Sequence, residues 1–134
     1  MLKQVSVFAE NSKGRLKEIT TLLMENNINI LGSVTNDSAE YGIIRMVVSD
    51  PDKCVETLKN NGYVCKTTSV LGIEIPDEVG ALNKVLCVLD DCNINLDYLY
   101  LSFNRESAAP IMVFHTDDPA EVQEILKLKG FTAI

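Results

Sequence analysis

The sequence lacks most of the features on which common enzymes and metal sites are built. It has one histidine, His115, and four cysteines, none of which form a Cys-x-x-Cys pair. One histidine cannot complete a usual zinc ligand set with cysteines spaced in this way, so we expect no metal and no cofactor. No P-loop, GxGxxG loop or HExxH motif occurs. A serine or cysteine nucleophile would have no second histidine as its base, and no catalytic residue is assigned.

Long apolar segments and basic stripes are missing as well. No apolar run approaches the ~18 residues of a membrane span, and the first residues do not form a leader-like apolar segment. We therefore expect a cytoplasmic protein without a membrane partner. The net charge is −7, and it falls entirely on residues 70–134, which hold four basic and eleven acidic residues. Because nucleic acid binding depends on neutralising phosphates, nucleic acid is not an expected partner.

The cysteines and the histidine have simple structural interpretations. We expect the cysteines to be buried, reduced thiols, since cysteine behaves as a small apolar residue in such places. They are Cys54, Cys65, Cys87 and Cys92. His115 lies in a strand-like pattern, and its counterpart in the repeat described next is Val47. A structural or surface histidine is the prediction.

The chain contains an internal repeat. A shift of 66 residues places the first half on the second, and after a two-residue insertion the shift becomes 68. The positions that match include Gly14 with Gly80, Leu16 with Leu82, Asn27–Asn29 with Asn93–Asn95, Asp50-Pro51 with Asp118-Pro119, and Gly62 with Gly130. The matches keep their order and need one small gap, so the sequence predicts two copies of one supersecondary unit.

Each copy has the strand and helix pattern βαββαβ. In the first half, strands are predicted at Gln4–Ala9, Ile28–Val34, Ile43–Val48 and Tyr63–Thr68, with a polar turn at Asp37–Gly42. One helix carries Leu16, Ile19 and Leu23 at helical spacing, and a second starts at Asp50-Pro51. In the second half, the strands are Leu71–Ile75, Asn95–Phe103, Ile111–Thr116 and Phe131–Ile134, and the helices are Ala81–Asp91 and Pro119–Leu128.

This order predicts an α+β protein made of two tandem ferredoxin-like units. Right-handed crossovers give each unit an antiparallel sheet with both helices on one face. We place the units at residues 1–69 and 70–134, without a linker. A unit of this size buries only about 60% of its unfolded surface, so close pairing of units is expected.

A polar loop that ends in glycine recurs before the first helix of each copy. It reads Asn11-Ser12-Lys13-Gly14-Arg15 in the first half and Asp77-Glu78-Val79-Gly80-Ala81 in the second. An asparagine, Asn29 or Asn95, opens the second strand, and we expect it near the same end of the unit as the loop. Helix amides attract a carboxylate, and an asparagine amide can serve either end of a zwitterion. The alternative is structural, with the glycines shaping turns and the Asn and Asp residues capping helices.

The second loop resembles the ACT domain. The similar segments are Ile73–Leu82 and Asn93–Leu96, and Gly14, Leu16 and Asn27–Ile30 resemble them more loosely in the first half. The resemblance covers essentially the whole chain as a tandem pair. The chain departs from the family pattern in having Lys13 and Val79 before the glycines, where the family often has proline.

The resemblance implies a regulatory module that binds a free amino acid. ACT domains commonly pair side by side, and the ligand lies at the interface, held by the first loop of one domain and residues of its neighbour. The implied ligand-binding residues are Asn11, Ser12, Lys13, Gly14, Arg15, Asn29, Asp77, Glu78, Val79, Gly80, Ala81 and Asn95. The implied partners are a second copy of the chain, in a homodimer, and a separate enzyme that the protein regulates.

Two other functions stay open. The first is a protein–protein interaction module without a small ligand, which would use a sheet edge or the acidic second half. The second, less favoured, is an enzyme on the same fold, such as an acylphosphatase. That activity needs an arginine in the first loop, and Arg15 has only Ala81 as its counterpart.

Overall fold

The computed structural model describes residues 1–10, 12–37 and 41–134, and it confirms the α+β fold with two βαββαβ units. One compact unit, called copy one, comprises Lys3–Thr68. The other, called copy two, comprises Ser69–Ile134 together with Met1–Leu2. The predicted division between residues 69 and 70 differs by one residue from this division, and the sequence did not predict that Met1 and Leu2 group with copy two.

Copy one begins with a strand, a helix and a hairpin. Its elements are β1 (Leu2–Glu10), α1 (Arg15–Glu25), β2 (Ile30–Asp37), β3 (Tyr41–Val48), α2 (Pro51–Asn60) and the first part of β4 (Val64–Glu74). Strand β3 is antiparallel to both β1 and β2, and the strand order is β2-β3-β1-β4. Both hairpin strands reach into the predicted turn at Asp37–Gly42, and residues 38–40 of that turn lie outside the described residues.

The core of copy one shows why both helices cover the same face. Alternate residues of β1, such as Val5 and Val7, lie in one apolar cluster with Ile19 and Leu23 of α1 and Leu58 of α2. Because alternate residues of a strand point to one face of the sheet, both helices pack on that face.

The predicted helix ends are also present in copy one. The Asp50 carboxylate accepts a hydrogen bond from the Lys53 amide at 3.1 Å and caps α2. Asn27, just after α1, has a φ of 57°, the left-handed conformation that asparagine tolerates.

Copy two continues from β4 with the same order of elements. They are α3 (Ala81–Asp91), β5 (Tyr98–Phe103), β6 (Pro110–His115), α4 (Pro119–Leu128) and β7 (Thr132–Ala133). Strand β6 is antiparallel to both β4 and β5, and β7 is antiparallel to β4. The two helices have the predicted bounds, whereas β5 starts three residues later than predicted and β7 is shorter.

Strand β4 corrects one prediction. The sequence predicted two strands, Tyr63–Thr68 and Leu71–Ile75, but one strand of 11 residues runs through both. Neither proline nor a polar turn separates the two segments, so the extended chain continues. Gly72 lies within the strand and pairs with Val113 of β6. A Cβ atom at this position would lie 2.7 Å from Cδ1 of Leu2. The glycine permits a close approach of Leu2.

Candidate functional site

The first loop of copy one leads directly into helix α1. Gly14 is the residue that precedes the helix, with a φ of 83°, and no side chain caps the helix there. Ser12 and Lys13 are exposed, and Arg15 is half-buried. The predicted ligand-binding residue Asn11 lies outside the described residues.

A small cavity adjoins this loop. It has a volume of about 240 Å³ and is lined by Ser12 and Arg15 together with Thr35 and Asn36 of β2. Two of the predicted ligand-binding residues therefore face a common space. The volume is below the ~300–1,000 Å³ that is usual for small-molecule sites.

The corresponding loop of copy two borders a larger cavity. Gly80 has a φ of 88°, and here too no side chain caps the helix that follows. A cavity of about 410 Å³ is lined by Glu78, Val79, Gly80 and Ala81, all predicted ligand-binding residues, and by Lys84. Asp77 is exposed and makes no hydrogen bond or ion pair within the described residues.

The two asparagines lie at the other end of their units, which corrects the expectation that they lie near the loops. The backbone amide of Asn29 donates a hydrogen bond to the Ser49 hydroxyl at 2.9 Å, beyond the end of β3. The Asn95 carbonyl accepts one from the Thr116 hydroxyl at 3.1 Å, beyond the end of β6. The loop of copy two adjoins the start of β6 instead, because Ile75 donates to the Pro110 carbonyl.

At ~3.3 Å per residue along β6, loop and asparagine are roughly 20 Å apart. One unit on its own therefore does not bring the predicted residues together. Both asparagines are exposed, and within the described residues their side-chain amides make no hydrogen bond. These amides are available to a ligand or to a partner.

His115 lies near Asn95 and has contacts compatible with the predicted structural role. Its Nδ1 atom is 2.5 Å from a carboxylate oxygen of Asp97, and its ring stacks on Tyr98 with the centroids 5.5 Å apart. The cluster ties the start of β5 to the end of β6.

The prediction of four buried cysteines is wrong for two of them. Cys54 and Cys65 are buried, whereas Cys87 and Cys92 on and after α3 are exposed, and all four are free thiols. Burial raises the pKa of Cys54 to about 12, with smaller contributions from Cys65 and Asp50. Cys87 lies on the outer face of α3, away from the buried Val85 and Leu89, and Cys92 is the first residue after the helix.

An interaction that the sequence interpretation missed fixes the start of α1. The Tyr63 hydroxyl donates a hydrogen bond to Oε1 of Glu18 at 2.5 Å, and Arg15 Nη1 lies 3.4 Å from the same oxygen. A second guanidinium nitrogen is 3.6 Å from Glu10. Hydrogen bonding to Tyr63, and then the charge of Glu18, raises the pKa of Arg15. The sequence contained one indication of this interaction, namely that Arg15 and Ala81 differ at equivalent positions of the repeat.

Within the described residues, no group of three or more His, Cys, Asp or Glu side chains is placed to hold a metal ion. In the same residues, the helices are all too short or too polar to cross a membrane.

Known proteins share this fold. A family model described as an ACT domain pair matches residues 1–134. No curated protein sequence matches the chain. Among solved structures, protein BT0572 from Bacteroides thetaiotaomicron is 36% identical, over 99% of this chain and 91% of its own, with a TM-score of 0.91.

Two other solved structures share the fold at low identity. They are the regulatory subunits of aspartate kinase from Thermus thermophilus and Thermus flavus, at 12% and 16% identity with TM-scores of 0.69 and 0.66. The similarity covers 93% and 92% of this chain and 88% and 86% of theirs. Because the family model matches the full length, the chain belongs to the family of ACT domain pairs.

Proposed function

We propose that this protein is a regulatory protein that binds a free amino acid, and that it is not an enzyme. Membership of the ACT domain pair family supports a regulatory role. The fold is also that of the regulatory subunits of aspartate kinase named above, one of which was solved in a ligand-free form. The proposal depends chiefly on two features of copy two. The loop that ends at Gly80 leaves the start of α3 without a side-chain cap, and the side-chain amide of Asn95 makes no hydrogen bond within the described residues.

The chemistry of these groups suits a zwitterion. Helix α3 follows Gly80 without a side-chain cap. The Ala81 amide donates to the Glu78 carbonyl at 3.3 Å, and the next two amides of the first turn are available to a carboxylate. Asp77 is exposed and, when ionised, accepts hydrogen bonds from an ammonium group. The Asn95 amide supplies one donor and one acceptor group to either end of the ligand.

A second copy of the chain can bring the loop and Asn95 together. Strand β5 is the outer strand of its sheet, and the loop and Asn95 lie towards its opposite ends. If two β5 strands pair antiparallel about a two-fold axis, the start of one lies beside the end of the other. Asn95 of each protomer then approaches the Gly80 loop of its partner. We propose a homodimer with this pairing.

The composition of β5 supports this choice of edge. Its six residues carry no charge, and Leu101 and Phe103 are 51% and 53% exposed. Exposed apolar edge strands are normally blocked by charges or bulges, or are covered by another strand. The outer strand of copy one, β2, has an irregular register between Ile30 and Gly32 and ends at Asp37, so it is better protected.

Thermal and urea unfolding of the full chain against the twenty amino acids tests the proposal. An amino acid at 100 times its dissociation constant is expected to add about 2.7 kcal/mol to the free energy of unfolding. Asn95→Ala should remove this stabilisation and leave the protein folded. Asn60→Ala, an exposed asparagine at the end of α2, is the matched control and should retain it. Equal ligand stabilisation in both variants would contradict the assigned site.

An interaction module without a small ligand is the second candidate, and the exposed Leu101 and Phe103 favour it. A panel in which no amino acid at millimolar concentration changes the unfolding curve would support this function instead. A separate enzyme, bound through the β5 edge, is then the partner to seek.

A further inference from the structure

The start of the first helix has different surroundings in the two copies. In copy one, the Tyr63 hydroxyl and the Arg15 guanidinium both contact the carboxylate of Glu18. Tyr63 is 9% exposed, so this group of side chains occupies the space between the start of α1 and the turn before β4. In this group, the carboxylate accepts the hydrogen bond of the phenol and balances the charge of the guanidinium.

The repeat places different residues at the same three positions in copy two. The shifts of 66 and 68 residues align Arg15 with Ala81, Glu18 with Lys84, and Tyr63 with Phe131. The guanidinium and the hydroxyl group are absent, and an ammonium group replaces the carboxylate. Ala81, Lys84 and Phe131 all line the cavity of about 410 Å³.

The cavity has the size and lining of a small-molecule site. Its volume lies within the ~300–1,000 Å³ of such sites. Ile75, Val79 and Phe131 contribute apolar surface, and Lys84 forms no ion pair within the described residues. Two carboxylates also line the cavity. Glu74 has both oxygens engaged by Asn104 and Ser107, and Glu78 is exposed to solvent.

We propose that this cavity is a second binding site, for a small molecule that has one carboxylate and a short apolar chain. The ligand carboxylate takes the role that Glu18 has in copy one and pairs with Lys84. The apolar chain contacts Phe131 and Ile75. Asn95 is not part of this site, since it lies at the other end of β6. The cavity shares the Gly80 loop with the proposed amino acid site, but it requires neither Asn95 nor a second protomer.

Nuclear magnetic resonance of the ¹⁵N-labelled full chain tests the proposal, with sodium butyrate as the probe and butylamine as the probe of opposite charge. Butyrate is expected to shift the amide signals of Lys84, Gly130 and Thr132, and butylamine is not. Lys84→Glu should weaken butyrate binding at least tenfold, and Lys84→Met, which keeps the apolar stem, should weaken it as well. Lys17→Glu on α1 makes the same charge change away from the cavity and should leave the affinity unchanged.

Exchange of the three residues between the copies gives a test in both directions. The variant Ala81→Arg, Lys84→Glu, Phe131→Tyr should rebuild the interactions of copy one and abolish butyrate binding in a folded protein. The converse variant, Arg15→Ala, Glu18→Lys, Tyr63→Phe, should give copy one butyrate-dependent shifts that it lacks.

Three results would overturn the proposal. They are equal shifts with butylamine, unchanged affinity in both Lys84 variants, and no butyrate shifts around the cavity. Asn95→Ala should leave butyrate binding intact. If it abolished binding, the butyrate would occupy the amino acid site instead, and only the proposal of a second site would fail.

Discussion

Replacing Tyr63 with phenylalanine isolates one hydrogen bond that joins α1 to β4. The change deletes only the hydroxyl group, which donates to Glu18 at 2.5 Å. It also reproduces the residue that copy two has at the equivalent position, Phe131. The ring remains in the core of copy one, so no cavity larger than an oxygen atom is expected.

The size of the effect follows from the exposure of the two partners. A hydrogen bond to a charged group contributes about 1.5–3 kcal/mol when it is buried. The Glu18 side chain is 54% exposed, so solvent screens it and the lower end applies. We expect Tyr63→Phe to lower the free energy of unfolding by about 1–1.5 kcal/mol. With a urea dependence of ~2 kcal/mol per molar, the midpoint should fall by roughly half a molar.

Urea unfolding of a double-mutant cycle measures this interaction. The cycle consists of the natural protein, Tyr63→Phe, Glu18→Ala, and the double variant, with circular dichroism as the readout. A coupling free energy of about 1 kcal/mol between Tyr63 and Glu18 is expected at pH 7. A coupling within 0.3 kcal/mol of zero, on the order of the usual additivity error, would refute the reasoning.

The pH dependence provides a second check on the same contact. Burial, followed by the hydrogen bond to Glu18, raises the pKa of Tyr63 above its ordinary value of 10.0. The neutral phenol is therefore favoured in the folded state, and its contribution is complete below pH 10. Above pH 10 the unfolded chain ionises first, so the folded state loses this advantage as the pH rises through the raised pKa. The difference between the natural protein and Tyr63→Phe should shrink in that range.

Two more predictions concern the β5 edge and the thiols. Leu101→Lys should convert the proposed homodimer into monomers in analytical ultracentrifugation, whereas Ser33→Lys on the exposed part of β2 should not; an unchanged mass for Leu101→Lys would exclude β5 as the dimer edge. Iodoacetamide at pH 8 should alkylate the two exposed cysteines within minutes and spare Cys54 and Cys65, because burial raises both of their pKa values. Mass spectrometry counts the adducts, and modification of Cys54 at the rate of the exposed thiols would contradict its burial.

Local signals in the sequence were sufficient to predict most of the fold. Helix α4 begins and ends as predicted because Asp118 caps it, Pro119 starts it and Gly130 follows it. Strand β4 was predicted less well, since it was divided at the boundary of the repeat although no proline or polar turn interrupts the chain there. The short length of β7 was also not predicted, because it depends on pairing with β4 and not on the residues of β7 itself.

The candidate site was harder to predict because it depends on direction within the fold. A strand and the helix that follows it run in opposite directions, so the strand after the helix starts where the first strand started. The Gly14 loop follows the end of β1, and Asn29 precedes the start of β2, which places them apart. The contact of Tyr63 with Glu18 joins residues 45 positions apart, and only comparison of the two copies could have drawn attention to it.

Strand β4 also restricts the ways in which the gene can change. The closing strand of copy one and the opening strand of copy two are one continuous segment, Val64–Glu74. Excision of either copy, or its transfer to another gene as a cassette, therefore cuts β4 itself between Thr68 and Ser69. Recombination of single copies is thereby disfavoured, and point substitution is the route left to specialisation. Two copies that share one strand can differ in the sequences of their loops while they remain parts of a single protein.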